Sequence, residues 1–298
     1  MVLPNELLSQ IVESLFWDAQ TSAVARQALC LCLSVSHGVR LIARKFVFRD
    51  ITIELHADTI TQPARTHLLW ELLVSDDTTL QHISSISIEV VGDVCPTVDP
   101  PIFCTLLRML RAAPLHSIAI RHRKGSFYGL KEFHPTIIDS LVSLRGSTSL
   151  RQLHLINAIN TPRRLVCGDT EGDTVQKITL PNFYPYVYGT LFDGTDATFN
   201  PLPPITDPLP PLPALIDLEV LDFGHFLTAI YGRTTTENMK NWNIRIKRLR
   251  ILQYIKDDDI TTEKQWEMVE LAKYSLEALS VVTTWLDITN GTLSSGLL

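Results

Sequence analysis

Seven times along this chain an aliphatic residue is followed three positions later by a second and two positions after that by a third, apolar or aromatic, one. The copies are Ile83/Ile86/Ile88, Leu115/Ile118/Ile120, Leu150/Leu153/Leu155, Val175/Ile178/Leu180, Leu218/Leu221/Phe223, Leu249/Leu252/Tyr254 and Leu276/Leu279/Val281. A chain this apolar meets the pattern by chance at roughly two dozen places, so no single copy carries weight. What constrains the fold is the alternation of these copies with helical patterns. PARTHLLWELLVSD precedes the first copy, PPIFCTLLRMLRAAP the second, HPTIIDSLVSLRG the third and TTEKQWEMVELAKY the last. Proline opens or closes several of these segments, and Gly146 stands where a helix C-cap belongs. From Ile86 to Leu279 the mean period is about 32 residues. Helix, short loop and strand in repetition predict an α/β fold with a parallel sheet.

The repeated unit resembles a leucine-rich repeat. The resemblance implies an irregular α/β solenoid over residues 51–298, with a Pro-rich insertion at 200–214. The family's Leu-x-x-Leu-x-Leu-x-x-Asn is met only in part, because the Asn position holds Val91, Arg123, Ala158, Phe183, Phe226, Asp257 and Thr284. Without that Asn the turns after the strands lack their usual side-chain hydrogen bonds, and irregular repeats are expected. The competing arrangement, a doubly wound sheet, calls for a Gly-rich phosphate turn, and the sequence has none.

The first 50 residues read differently. In LPNELLSQIVESL, Pro4 suits a first helical turn and Glu6 suits the positive end of the helix dipole. Leu7, Ile11 and Leu15 form one apolar stripe; Leu8, Val12 and Phe16 form a second. A second helix is expected from about Ser22 to Leu33, and a third carrying Val35, Val39, Ile42 and Phe46. Three short helices make a core too small to cover both stripes, and an uncovered apolar stripe marks a contact surface.

LPNELLSQIVESL resembles the start of an F-box, with every position of Leu-Pro-x-Glu-Leu-Leu-x-x-Ile-aliphatic-x-x-Leu matched, and LSVSHGVRLIARKFVFRDI is similar to the second half of that motif. Val39 stands where many family members have Trp, which shrinks the aromatic anchor. The resemblance covers residues 2–51. It implies a three-helix module over 1–50 that docks a Skp-type adaptor and, through it, a cullin–RING ubiquitin ligase. Carried over by position, Leu3, Pro4, Leu7, Leu8, Ile11 and Leu15 form or support the docking face, with Val35 and Val39 supporting it from the third helix.

Composition narrows the remaining classes. A net charge of −6 on 298 residues argues against nucleic acid as the main partner, and Arg121–His122–Arg123–Lys124 reads as a solvated strand end. No apolar run approaches the ~18 residues of a membrane span. The start lacks the basic and apolar regions of a signal peptide, so the expected compartment is the cytoplasm or nucleus. Five scattered cysteines suggest reduced thiols rather than a disulfide framework. No hydrolase, metalloprotease or nucleotide-binding motif occurs, and His/Cys/carboxylate groups lack metal spacing. No cofactor or metal is expected, and the chain is read as a non-enzyme.

Alternation along the strands puts Ser87, Glu89, Ala119, Arg121, Gln152, His154, Lys177, Thr179, Asp222, Gln253 and Ser280 on the face opposite the aliphatic triplets. This row is mixed in sign and suits a protein surface or peptide. Glu89, Arg121, Gln152, His154, Lys177, Asp222 and Gln253 are the candidate substrate contacts, with Tyr184 from NFYPYVYG, an aromatic cluster that serves as a binding platform or pins the Pro-rich insertion. GDTEGDT is too short for an EF-hand and reads as an exposed turn. NPLPPITDPLPPLP must be extended, as a stiff insertion rather than a docking peptide. The expected function is that of a substrate receptor in a Skp–cullin–F-box ligase. The alternative is a repeat scaffold in which the first helices only cap the array.

Overall fold

The computed structural model describes residues 4–56, 62–91, 100–122, 128–130, 133–159, 161–167, 174–180, 191–192, 215–220, 246–255, 266, 269–270, 272–287 and 292–297. Within them the chain is mixed α/β, with seven α-helices, one 3-10 helix and an open sheet in which eight strands run parallel. Helices α1 (Asn5–Ala19), α2 (Ala23–Val35) and α3 (His37–Val47) come first. The two turns between them are built alike. Ser22 accepts from the Ala25 N–H and Ser36 from the Val39 N–H, each satisfying a donor at a helix start. Four residues beyond each serine an arginine reaches back to the preceding helix. Arg26 donates to the Ala19 carbonyl at 3.1 Å and Arg40 to the Leu33 carbonyl at 2.8 Å. Val35 therefore closes α2 instead of belonging to the third helix, because Ser36 takes the extended backbone of an N-cap.

The main sheet has the order β1 (Asp50–His56), β2 (Ser85–Val91), β3 (Ser117–His122), β5 (Gln152–Ile156), β8 (Lys177–Leu180), β10 (Asp217–Val220), β11 (Arg248–Ile255), β12 (Ala278–Asp287) and β13 (Thr292–Leu297). Every pair is parallel except β12 with β13. The order follows the chain without reversal, so there is no switch point of the kind at which a doubly wound sheet opens a ligand crevice. Between strands lie α4 (Gln62–Ser75), the 3-10 helix η1 (Asp77–His82), α5 (Pro100–Leu110), α6 (Pro135–Arg145) and α7 (Arg163–Cys167). The short strands β4 (Tyr128–Gly129) and β6 (Ala158–Ile159) pair with each other, as do β7 (Thr161–Pro162) and β9 (Leu191–Phe192).

One device recurs at the starts of β2, β3, β5, β8, β10, β11 and β12. A single carbonyl of one unit accepts two successive N–H groups of the next. Arg49 accepts from Ser84 and Ser85, Ser84 from His116 and Ser117, and His116 from Arg151 and Gln152. The series continues through Arg151, Gln176, Ile216 and Lys247, which accepts from Glu277 and Ala278. It sets the register and corrects two sequence expectations. In β10 the inward residues are Leu218 and Val220, preceded by Leu215; in β11 they are Leu249 and Ile251, preceded by Ile246. Both triplets lie three residues earlier than expected.

Two apolar clusters form. The larger joins the inward strand residues to Leu73 of α4, Phe103, Leu106, Leu107 and Leu110 of α5, Ile137, Leu141 and Leu144 of α6, and Leu165 and Val166 of α7. The helices thus cover one face of the sheet. Val269 and Ala272 join the same cluster, while Trp266 is exposed. The smaller cluster holds Val12, Phe16, Ala19, Leu29 and Ala43, with Phe46 and Val47 against it. Phe48, next along the chain, packs on the larger one. The helical module and the sheet meet through the Arg44–Asp76 ion pair at 2.5 Å and the Arg49 guanidinium, 5.3 Å above the Phe16 ring.

Candidate functional site

Two surfaces carry the residues singled out from the sequence. The first lies on the helical module. Of the two stripes of α1, Val12 and Phe16 turn into the small core, with Phe16 5.5 Å from Phe46, and Leu8 is half-buried. The other stripe faces out. Leu7 is 45% and Ile11 51% exposed, while Leu15 lies half-buried against the core. Pro4 is exposed at the N-cap of α1, Val35 is 68% exposed at the end of α2, and Val39 is half-buried in the first turn of α3. Leu3 lies outside the described residues. Sequence reasoning missed Val24 and Leu31, both exposed. With Val35 they recur at i, i+7 and i+11 and make an outward stripe on α2. The signal was present, since AVARQALCLCLSV has only Arg26, Gln27 and Ser34 as polar residues, and they share one side.

The second surface is the sheet face turned away from the helices. Register aligns Asp50, Ser85, Ser117, Gln152, Lys177, Asp217, Arg248 and Ala278 in one row. Thr52, Ser87, Ala119, His154, Thr179, Glu219, Arg250 and Ser280 make the next, and Glu54, Glu89, Arg121 and Ile156 begin a third. Five expected contacts, Glu89, Arg121, Gln152, His154 and Lys177, are on this face. Asp222 and Tyr184 lie outside the described residues, as do the rest of the aromatic stretch, the Pro-rich insertion, Arg123, Lys124 and all of GDTEGDT but Thr174. Gln253 is in β11 opposite Thr283. The corrected register assigns Asp217 and Glu219 to this face in β10, and Arg248 and Arg250 in β11. These four were missed for the same reason that two triplets were displaced.

Ion pairs tie the face together across strands. Arg121 Nε is 3.3 Å from Glu89 and donates to Ser87 Oγ at 3.0 Å. Arg248 makes a forked pair with Asp217, and Arg250 is 3.9 Å from Glu219. His154 contacts the Gln152 amide oxygen at 3.3 Å. Burial holds its imidazole below the ordinary value, and Lys177 and Arg121 add to the effect. Near the junction of module and sheet, the Thr78 hydroxyl and the Arg44 charge hold the Asp76 carboxyl below its ordinary value. Burial lowers His82, helped by Lys45 and Arg44.

Among the described residues no cluster of three or more His, Cys, Asp or Glu is placed to hold a metal ion. Nor is any described helix long and apolar enough to cross a membrane. Cys30 is exposed, Cys32 half-buried and Cys104 buried, all as free thiols. No family model, curated protein or solved structure matches this chain.

Proposed function

We propose that this chain is a non-catalytic substrate receptor, an F-box-like module followed by an irregular leucine-rich-repeat-like solenoid. The module would dock a Skp-type adaptor and, through it, a cullin–RING ubiquitin ligase. The polar sheet face would hold a target protein. Its mechanism is proximity, since tethering raises the effective concentration of a target lysine near the loaded ubiquitin carrier. Its working place is the cytoplasm or nucleus. The observation that carries the reading is the exposed Leu7–Ile11 stripe on a helix whose other stripe fills a core of its own. The monotone strand order and the repeated double hydrogen bond support the solenoid.

The test is binding of purified Skp-type adaptor to the full chain. Burying an exposed Leu or Ile gives ~1.5–3 kcal/mol, and Leu7 and Ile11 have about half of that left to give, so Leu7→Ala with Ile11→Ala removes about 2 kcal/mol. Adaptor affinity is expected to fall roughly 30-fold. Unchanged affinity in Leu7→Asp with Ile11→Asp rejects the docking role. A second reading, in which the helices cap the sheet, is favoured by the Arg44–Asp76 pair. Truncation to a chain starting at Phe48 separates the two. A cap's loss lowers the melting point of the remaining sheet, and a docking module's loss leaves it folded.

A further inference from the structure

Among the described residues, the polar face has a cation without an ion pair at its centre. Arg121, Arg248 and Arg250 are each answered by a carboxylate, from Glu89, Asp217 and Glu219 respectively. Lys177, half-buried on β8, makes no ion pair among the described residues. Register sets His154 opposite both Ala119 and Thr179, and Lys177 opposite Gln152. Arg121, His154 and Lys177 therefore lie on one diagonal across β3, β5 and β8, each step one strand over and two residues back. Beside it, Thr179 Oγ1 is hidden from solvent and has no hydrogen-bond partner, in a residue only 7% exposed. An unmet hydroxyl in such a place costs about 1–3 kcal/mol. Burial first, and then both flanking cations, hold the His154 imidazole below its ordinary value.

We propose that the target segment held by this face is acidic and seats a carboxylate on the Arg121–His154–Lys177 diagonal, with the Thr179 hydroxyl as a further donor. This rests on the reading of the sheet face as the target surface. The carboxylate neutralises Lys177, which has no ion pair among the described residues, and gives the buried hydroxyl an acceptor. It also offsets the Lys177 and Arg121 charges that, after burial, hold the His154 imidazole below its ordinary value, so binding takes up a proton and tightens as the pH falls.

The probe is a labelled, acetylated hexaglutamate peptide, titrated by fluorescence anisotropy against the full chain at low salt, at pH 7.5 and pH 6. Binding should weaken at least tenfold in Lys177→Met and in Lys177→Gln. Tightening between pH 7.5 and pH 6 should vanish in His154→Gln. Arg108→Met, which removes an exposed cation on α5, should change nothing. No peptide binding, unchanged affinity in both Lys177 variants, or an equal loss in Arg108→Met overturns the proposal. A photo-crosslinking residue at Ser117, on the same face, tells two failures apart. If cell-extract proteins still crosslink there while hexaglutamate does not bind, the acidic-segment claim alone falls. If neither occurs, the target-surface reading falls with it.

Discussion

Phe16→Ala probes the division of this chain into two cores. The Phe16 ring is buried in the small cluster, 5.5 Å from Phe46 and 5.3 Å from Trp17, with the Arg49 guanidinium over its face. Truncating a buried Phe costs about 3–5 kcal/mol, through lost transfer energy and the cavity left behind. Among the described residues, only Val12, Ala19, Leu29 and Ala43 are buried with it. A cluster that small stabilises its module at the low end of the ~5–15 kcal/mol found for domains. The substitution therefore removes most of what holds α1, α2 and α3 together. Native-state amide exchange resolves the outcome by segment. Amides of the three helices should lose protection about a hundredfold or more, while those of β2, β3 and β5 keep theirs. Leu7→Ala, at an exposed position, should shift neither set by more than about 0.5 kcal/mol. Equal loss of protection in helices and strands would show one cooperative unit, and the separation at Val47–Phe48 would be refuted.

Leu153 is fully buried in β5, so Leu153→Ala should lower the sheet's unfolding free energy by about 2–5 kcal/mol, read from the urea midpoint, whereas Gln152→Ala next to it should be near neutral. Ser22→Ala and Ser36→Ala each remove an N-cap and should cost the helical module about 1 kcal/mol, measured by exchange in α2 and α3. His82 and His154 both have folded-state values below the unfolded 6.5. The unfolded chain thus binds more protons once the pH drops below 6.5, and their contribution to stability, full above that pH, is lost as the pH falls through the folded values. Denaturation between pH 7.5 and pH 5 should show this decline, and His82→Gln with His154→Gln should flatten it.

The sheet was legible where an aliphatic triplet had no rival nearby. At Ile83/Ile86/Ile88, Leu115/Ile118/Ile120, Leu150/Leu153/Leu155 and Val175/Ile178/Leu180 the residues expected inside are buried. At the next two units the pattern overlaps itself. LIDLEVLDF contains both Leu215/Leu218/Val220 and Leu218/Leu221/Phe223, and IKRLRILQY contains both Ile246/Leu249/Ile251 and Leu249/Leu252/Tyr254. Hydrophobicity alone does not choose between them. The backbone does, because the Gln176 carbonyl takes the Ile216 and Asp217 N–H groups and the Ile216 carbonyl takes those of Lys247 and Arg248. A slip of three, being odd, also exchanges the two faces of a strand. That exchange is why Asp217, Glu219, Arg248 and Arg250 were missed. The third unit shows a smaller displacement. The side-chain bond expected from an Asn at position 158 is made by Asn157, which takes a positive φ of 57° and donates to the His122 carbonyl at 3.2 Å.

The last unit shows why register and burial are separate questions. Leu279 pairs with Leu249 and Val281 with Ile251, so β12 continues the inward rows without a slip. Leu249 is 2% exposed, yet Leu279 is 40% exposed. A strand's alternation assigns a side chain to a face, while the cover over that face comes from whatever packs there. For β2, β3 and β5 the cover comes from α4, α5 and α6, whose leucines share their cluster. Val269 and Ala272 are buried ahead of β12, but Tyr274 stands in solvent and Leu276 is only half-buried. Substitution at Leu279 should therefore be tolerated where the same change at Leu249 is not. Leu279→Ala should cost less than about 1.5 kcal/mol and Leu249→Ala about 2–5 kcal/mol, although the two residues are neighbours in one row. Equal costs, measured by urea unfolding, would mean that position in the row, rather than the cover above it, sets the energy.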